Sequence, residues 1–202
     1  VRLALKLLIL QCLLITCSSC TRLEQHSNGD SKKALIALGR HLFYERRLSL
    51  NNDRSCGICH EQAKGFTDGF VRAVGTTEEI HPRNTQGLIN VSTRQALGWI
   101  SPEITSLEDQ LFIPLTGNHP VEMGLSELLD ERLRKLSAGK EYQDLLAPLG
   151  AQELTVEIVS RSISTFEQII HSYQAPYDDY LRGNQSALSE EALRGMRLFN
   201  SL

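Results

Sequence analysis

Hydrophobic side chains recur every three or four residues along several parts of the chain, which is the spacing of one face of an α-helix. The helices predicted from this spacing cover residues 32–44, 105–113, 124–137 and 154–171. Ser189, followed by Glu190 and Glu191, is typical of a capped helix start and predicts a last helix over residues 190–200. No pair of segments shows the alternation typical of neighbouring strands. We therefore expect a mainly α-helical fold with long loops.

Residues 45–87 interrupt the helical pattern, because they are rich in Gly, Asn, Asp, Thr and Arg and show no helical period. An irregular stretch of this length inside a compact domain usually has a function or binds a ligand that orders it. We therefore expect this stretch to surround a bound group.

The beginning of the chain has the pattern of an export signal. Residues 1–19 contain two bases, no acid and an apolar run over residues 7–15 that is short for a bilayer-spanning helix. Small residues before Cys20 favour cleavage and lipid attachment there; Cys17 is the alternative, and cleavage without a lipid is a further one. We expect a periplasmic protein, tethered to the membrane as a lipoprotein.

Composition and charge exclude several other classes. The 202 residues are 41% hydrophobic and 22% charged, which is ordinary for a globular protein and unlike a disordered, collagen-like or multi-span membrane chain. The net charge of −3 gives no reason to expect a nucleic-acid-binding surface. Five cysteines are too few for a disulfide scaffold.

The segment Cys56-Gly57-Ile58-Cys59-His60 matches the attachment pattern of a c-type haem. Two thiols three residues apart can reach the two vinyl groups on one edge of a porphyrin, and the next residue can then ligate the iron. Three other interpretations stay open. A structural zinc site needs a second Cys or His pair, a thioredoxin-like dithiol needs a strand–motif–helix setting, and a disulfide between Cys56 and Cys59 needs neither.

The sixth ligand of such an iron is not determined by the sequence. The candidate side chains, most of which we expect to be packing or surface residues, are Met123, Met196, His26, His41, His81, His119 and His171. An electron carrier would fill this position with Met or His, whereas an unfilled position would leave the iron open to peroxide.

From about Leu38 to Leu202 the chain resembles the N-terminal haem domain of bacterial di-haem cytochrome c peroxidases, a group that includes the di-haem protein of methylamine utilisation. The resemblance is carried by short pieces in the same order. They are Leu38-Gly39-Arg40-His41-Leu42-Phe43-Tyr44, Arg47-Leu48-Ser49, Ser55-Cys56-Gly57-Ile58-Cys59-His60, Gly65-Phe66-Thr67-Asp68-Gly69, Arg83-Asn84-Thr85, Leu88-Ile89-Asn90-Val91, Ser106-Leu107-Glu108-Asp109-Gln110, Asn118-His119-Pro120-Val121-Glu122-Met123-Gly124, Pro176-Tyr177-Asp178-Asp179-Tyr180-Leu181-Arg182-Gly183 and Leu193-Arg194-Gly195-Met196-Arg197-Leu198-Phe199.

The resemblance implies roles for individual residues. Cys56 and Cys59 would hold the peroxidatic haem and His60 would be its proximal ligand, whereas Glu122 would move a proton between the peroxide oxygens. The alternative for Glu122 is a surface carboxylate at a helix start. Trp99 would assist electron transfer between two haems, the alternative being a core residue.

The resemblance also implies a calcium ligand at Asn84, and the chain departs from the family in three places. In reductively activated members, a His follows the glycine of the loop after the haem motif and blocks the iron at rest. Here Gly75 is followed by Thr76, so the resemblance implies an iron that is open at rest unless His81 blocks it instead. The family's Trp-Asp-Gly-Arg piece is absent after Trp99. The second Cys-x-x-Cys-His would lie beyond residue 202, so we expect a truncated chain and a second haem outside it.

These features predict an exported di-haem peroxidase that reduces hydrogen peroxide to water with electrons from a small cytochrome c or cupredoxin. The alternatives are a monohaem electron carrier, a di-haem oxidase that modifies a protein partner, and a haem-less lipoprotein. A homodimer is one expected assembly. The expected parts are a lipoprotein-type signal peptide over residues 1–19, a linker over 20–31, a cytochrome c-like peroxidase domain over 32–185 and the start of a truncated C-terminal haem domain over 186–202.

Overall fold

The computed structural model describes residues 29–99 and 101–201. The predicted signal segment and the two candidate lipid-attachment cysteines lie outside these residues. The described part is mainly helical, and its strand-like pairing consists of isolated bridges, which confirms the predicted fold class. Within the same ranges, no helix has the length and apolar character needed to cross a membrane.

The helices are numbered here in chain order. They are α1 over residues 29–43, α2 (Cys56–Cys59), α3 (Leu107–Thr116), α4 (Leu129–Ser137), α5 (Lys140–Leu146), α6 (Val156–Glu167), α7 (Pro176–Leu181) and α8 (Glu190–Asn200). Four 3₁₀ turns lie at Arg46–Leu48, Gln62–Lys64, Val91–Thr93 and Ala147–Leu149. The stretch over residues 45–87 is therefore irregular apart from single turns, as the composition predicts.

Helices α1, α3 and α6 form the part of the core on which the site rests. Gly39 of α1 lies so close to α6 that a Cβ atom there would be 1.9 Å from the Ser162 carbonyl oxygen. This close approach buries Phe43 at the end of α1 and Ile163 in the middle of α6. Helix α3 packs against the same helix α6, so the two helices meet beside the irregular stretch.

Several predicted boundaries are wrong for identifiable reasons. Helix α1 already includes residues 29–31, which were predicted as linker. Helix α4 begins at Leu129 instead of residue 124, because Gly124 adopts a left-handed conformation with φ +72° and Leu125 donates its N–H to the Leu115 carbonyl. Helix α6 ends at Glu167, four residues earlier than predicted.

Helices α5 and α7 were not predicted, and both are too short for a clear hydrophobic period. Helix α5 has seven residues and α7 has six. The predicted last helix is confirmed as α8, and the Ser189 hydroxyl accepts the Ala192 N–H at its start.

Candidate active site

A cavity of about 350 Å³ opens beside α2, α3 and the C-terminal end of α6. This volume lies within the range of small-molecule and cofactor pockets, roughly 300–1,000 Å³. Three segments contribute to its wall. We call residues 54–60 the attachment segment, residues 73–83 the histidine hairpin and residues 118–124 the acid segment. Each of the residues Cys56, Cys59, His60, Trp99, Asn84 and Glu122 lines this one cavity.

The two cysteines of the attachment segment lie on the single turn of α2. Neither thiol is joined in a disulfide. Burial raises the pKa of the Cys56 thiol to about 12, with the Glu167 carboxylate adding to the effect, and burial also raises the pKa of Cys59. Both thiols therefore stay protonated at neutral pH, which is the opposite of the lowered pKa that a reactive dithiol or zinc thiolate requires.

The imidazole of His60 is held by a carbonyl group. Its Nδ1 lies 3.0 Å from the Phe66 carbonyl oxygen. Because a carbonyl only accepts, Nδ1 carries the hydrogen and Nε2 keeps its lone pair for a metal. Phe66 presents this carbonyl from a left-handed conformation with φ +61°, which is a strained backbone for a bulky residue. This strained turn thus selects the tautomer that a haem ligand needs.

Aromatic packing fixes the orientation of the same ring. The ring of Phe43 lies 6.3 Å from that of His60, 6.4 Å from that of Phe66 and 5.2 Å from that of Phe166, measured between centroids. Phe43 and Phe166 belong to α1 and α6, so the core helices reach the attachment segment directly. The haem motif therefore packs against the buried aromatic side chains of the helical core.

Glu122 lies in the acid segment, directly after a tight turn that the bridge between Asn118 and Val121 closes beyond the end of α3. A helix was predicted to begin two residues after Glu122, at residue 124. Its backbone is held there because Met123 donates its N–H to the Pro114 carbonyl. Burial raises the pKa of the Glu122 carboxyl, and the nearby His81 partly opposes this. A carboxyl with a raised pKa beside a ligand cavity suits general acid–base chemistry.

The histidine hairpin contains the loop position at which reductively activated members of the family described above carry a histidine that blocks the iron. Gly75 lines the cavity, but Thr76 does not. The Thr76 side chain is buried and its hydroxyl donates to Asp53 Oδ1 at 2.6 Å. His81 lies 3.5 Å from Glu122, measured from Nε2 to Oε1. The structure therefore places His81 beside the acid, and Thr76 turned away from the cavity.

Trp99 and Asn84 are brought together at the wall of the cavity. The Trp99 indole N–H donates to the Asn84 carbonyl oxygen at 3.1 Å, and the Arg83 guanidinium lies 6.0 Å from the centre of the indole ring. Trp99 is 48% exposed, so the core-residue interpretation is wrong. Its backbone contact ties the two predicted residues into one structural unit.

The structure divides the candidates for the sixth iron ligand into those that line the cavity and those that do not. Met123 and His119 line the cavity, and Met123 is also part of the hydrophobic core. His41 packs edge-on against Tyr142, and His171 stacks on Tyr173; neither lines the cavity.

Among the residues of the cavity wall that received no role from the sequence, three carry polar groups of interest. Gln110 comes from α3, and Glu167 comes from the last turn of α6. Burial and the nearby Glu108 raise the pKa of Glu167 to about 8. Arg54 lines the cavity with an Nε atom that is buried and has no hydrogen-bond partner among the described residues. A signal existed for Glu167, because it falls four residues after Ile163 on the buried face of its helix.

A cluster that could hold a metal ion occurs elsewhere in the described residues. It consists of His41, Glu45 and Glu141. Arg47 donates hydrogen bonds to both carboxylates, so oxygen atoms of both are already engaged and half of their negative charge is compensated. This cluster carries no argument for calcium.

The residues present fit a covalently attached haem. Two protonated thiols are available for thioether formation, and the Nε2 of His60 is available for iron. The unpartnered Arg54 Nε provides a donor for an acidic substituent of a porphyrin. A Cys-x-x-Cys-His segment on the wall of one pocket is the arrangement that c-type haem requires.

Comparisons with known proteins identify the family of this chain. The family model for di-haem cytochrome c peroxidases matches residues 33–186. Methylamine utilization protein MauG of Methylorubrum extorquens is 34% identical over 171 residues, covering 81% of this chain and 46% of that protein. Cytochrome c551 peroxidase of Nitrosomonas europaea is 27% identical over 166 residues, covering 82% and 48%. The chain thus spans about half the length of the curated relatives it matches.

Solved structures give the same result for the fold. A MauG-like protein associated with microbial copper homeostasis matches with a TM-score of 0.77 at 33% identity, covering 82% of this chain and 48% of that chain. The diheme peroxidase BthA from Burkholderia thailandensis matches with a TM-score of 0.67 at 21% identity, covering 82% and 46%. Because the family model covers most of the sequence, including the haem motif and Glu122, the chain belongs to the di-haem cytochrome c peroxidase family.

Proposed function

We propose that the chain is the N-terminal, peroxide-binding part of an exported di-haem peroxidase that reduces hydrogen peroxide to water. The observation that carries the proposal is the position of Glu122. This acid, with its raised pKa, lines the same cavity as the two cysteines and the imidazole that would hold the haem. The named peroxidases among the relatives support the reaction class.

The haem, held by Cys56, Cys59 and His60, would supply the electrons for cleavage of the peroxide bond. The carboxylate of Glu122 accepts a proton from one peroxide oxygen and returns it to the other, which then leaves as water. The Nδ1 hydrogen bond from His60 to Phe66 keeps the imidazole basic and correctly oriented. Gln110, from the neighbouring α3, offers a neutral amide donor in the same cavity.

The test is peroxide-dependent oxidation of a reduced small cytochrome c by the full-length, haem-loaded protein. We expect a steady rate that falls roughly 100- to 10,000-fold in Glu122→Gln. Glu127→Gln is the matched control, because Glu127 is exposed and lies outside the cavity wall. A rate that Glu122→Gln leaves unchanged would contradict the role of this acid. Replacing the cytochrome by a cupredoxin in the same assay identifies the preferred donor.

A second function, oxidation of a protein partner, is favoured by the orientation of Thr76. Its side chain is buried against Asp53 and leaves the plug position without a histidine. The MauG relatives are named for methylamine utilization. Mixing the full-length protein with peroxide and no donor separates the two functions. If the oxidising equivalents that form pass to a protein partner added afterwards, a protein oxidase is favoured; if they pass only to reduced cytochrome c added afterwards, the peroxidase is favoured.

The proposal includes a second haem domain that begins within residues 186–202 and continues beyond them. DNA sequence past codon 202 tests this part, because a second Cys-x-x-Cys-His should follow within a few dozen codons. Calcium at Asn84 belongs to the same proposal, since most of its ligands would come from the later residues. Isothermal titration of the full-length protein with Ca²⁺, against Asn84→Ala, tests that site. Sedimentation of the full-length protein tests the homodimer.

Export and lipid attachment complete the proposal. The supporting feature is the basic start, apolar run and small residues before Cys20. Labelling cells with a radioactive fatty acid should mark the wild-type protein and Cys17→Ala, but not Cys20→Ala. Loss of label in Cys17→Ala alone would move the attachment site to that residue.

A further inference from the structure

The contact between His81 and Glu122 is not explained by the haem motif. His81 Nε2 lies 3.5 Å from Glu122 Oε1, and the two side chains are 23% and 31% exposed. The other ring nitrogen, Nδ1, accepts the backbone N–H of Arg83 at 3.1 Å. In the neutral ring the hydrogen therefore sits on Nε2, where it faces the carboxylate.

This tautomer removes His81 from the iron-ligand candidates in the observed arrangement. Nδ1 uses its lone pair for the Arg83 N–H, and Nε2 carries a hydrogen that faces Glu122. Neither nitrogen has a lone pair directed at a metal. The interaction of His81 is with the acid.

The backbone around this pair is held in register by three further contacts. Thr76 donates its N–H to the Glu122 carbonyl at 2.8 Å, and the Val121 N–H donates to Glu79 Oε2 at 3.0 Å. A Cβ atom on Gly75 would lie 1.8 Å from the Val121 carbonyl oxygen, so the hairpin approaches the acid segment as closely as glycine allows. The position of His81 is thus built into the join between the two segments.

The electrostatic surroundings of Glu122 give His81 a specific effect. The titratable and charged groups that line the cavity with Glu122 are Glu79, His81 and Arg83 of the histidine hairpin, His119 of the acid segment, Arg54, Cys56, Cys59 and His60 of the attachment segment, Arg94, and Glu167 of α6. Burial raises the pKa of Glu122, and His81 is the group that lowers it. This effect is electrostatic, and the positive Nε2–H edge of His81, 3.5 Å from Oε1, favours the ionised carboxylate, which is the form that can accept a proton.

We propose that His81 is the positioning residue of Glu122, whose Nε2–H holds the carboxylate in the cavity wall, ready to accept the peroxide proton. The catalytic part of this assignment rests on the proposed peroxidase function. The pairing itself does not, because it follows from the geometry of the histidine hairpin and the acid segment.

The experiment compares haem-loaded full-length wild type with His81→Ala, His81→Gln and a control, His171→Gln, which changes an exposed histidine. The first readout is an infrared pH titration of the Glu122 carboxyl, whose band is identified by its loss in Glu122→Gln. The second readout is the rate of reaction with hydrogen peroxide across the same pH range.

We expect His81→Ala to move the Glu122 titration upward by about one pH unit, because burial is then no longer opposed. The rising limb of the peroxide rate should move with it. His81→Gln keeps an N–H donor of similar reach and should move both by less than half as much. His171→Gln should move neither.

Three outcomes decide the matter. An unchanged Glu122 titration in His81→Ala overturns the pairing, whatever the peroxide rate does. A shift in His81→Gln as large as in His81→Ala overturns the assignment of the effect to the Nε2–H group. If His81→Ala shifts the carboxyl titration but the wild-type protein itself fails to react with peroxide, the pairing is supported and the proposed function is overturned.

Discussion

The attachment segment and the histidine hairpin line the same cavity but arise in different ways. The attachment segment is one helical turn in which Cys56, Cys59 and His60 are neighbours in sequence. The histidine hairpin reaches its partner Glu122 across about 40 positions of chain, through backbone contacts and a close approach at Gly75. Local spacing thus builds the side that carries the haem motif, and tertiary packing builds the side for which we propose proton transfer.

The largest expected effect comes from breaking the attachment segment. Cys56→Ala together with Cys59→Ala removes both thioether positions, so we expect complete loss of covalent haem after expression with a cytochrome c maturation system. Mass spectrometry of the denatured protein measures it. Covalent haem retained in the double variant would contradict the assignment of Cys56 and Cys59 as the attachment sites. Loss of covalent haem from Glu122→Gln would show that the acid segment is also needed for haem attachment.

The next effect comes from breaking the hairpin. Gly75→Ala places a Cβ against the Val121 carbonyl, so we expect a loss of about 1–3 kcal/mol in the free energy of unfolding and a slower peroxide reaction with normal haem content. Urea unfolding and rapid mixing measure the two quantities. Gly195→Ala is the matched control, because no atom lies within 4 Å of its added Cβ and alanine favours its helix. Equal effects of the two changes would show that the close approach does not matter.

Glu167 tests the comparison of the attachment segment with the histidine hairpin from the side of the attachment segment, because it is a buried acid near Cys56. Its pKa of about 8 lies above the usual 4.5, so the folded state keeps a proton that the unfolded state releases. The contribution of the Glu167 carboxyl to stability is therefore complete below about pH 4.5 and is lost as the pH rises towards about 8. Glu167→Gln should remove this decline, with a gain of about 1–2 kcal/mol near pH 9. Urea midpoints against pH measure it; Glu153→Gln, an exposed change, should keep the wild-type slope.

The smallest expected effect concerns the turn between α1 and the attachment segment. Burial of Glu45 would raise its pKa, but hydrogen bonds from Arg47 and Tyr142 outweigh burial and lower the pKa to about 2. Glu45 therefore stabilises the fold above about pH 4.5, and this contribution is lost as the pH falls towards 2. Tyr142→Phe should cost about 1 kcal/mol and move acid unfolding to higher pH. Circular dichroism against pH measures it, with Tyr177→Phe as the exposed control; coincident curves would contradict it.

The difference between the two sides also explains what the sequence could predict. The haem motif, the stripe of α6 and the cap at Ser189 are local signals, and each was recognised from a few neighbouring residues. The start of α4 was wrong because Gly124 and the backbone bond from Leu125 to Leu115 override the local pattern.

The pairing of His81 with Glu122 had no sequence signal, since it depends on which loop lies beside which. Glu122 itself was singled out only through the resemblance to a family, and the tight turn directly before it was not predicted. Glu167 did have a sequence signal, because it is an acid on the buried face of a helix. A charged residue at that position, however, predicts the end of a helix as well as it predicts a residue that lines a cavity.

The central claim is that one cavity combines haem attachment at Cys56, Cys59 and His60 with proton transfer at Glu122. Rapid mixing of the haem-loaded ferric protein with hydrogen peroxide, in wild type and Glu122→Gln at equal haem content, tests it most directly. We expect a fast spectral change in wild type and a change roughly 100- to 10,000-fold slower in the variant. Equal rates, or a wild-type spectrum that neither peroxide nor cyanide alters, would contradict the claim and favour an electron-carrying cytochrome.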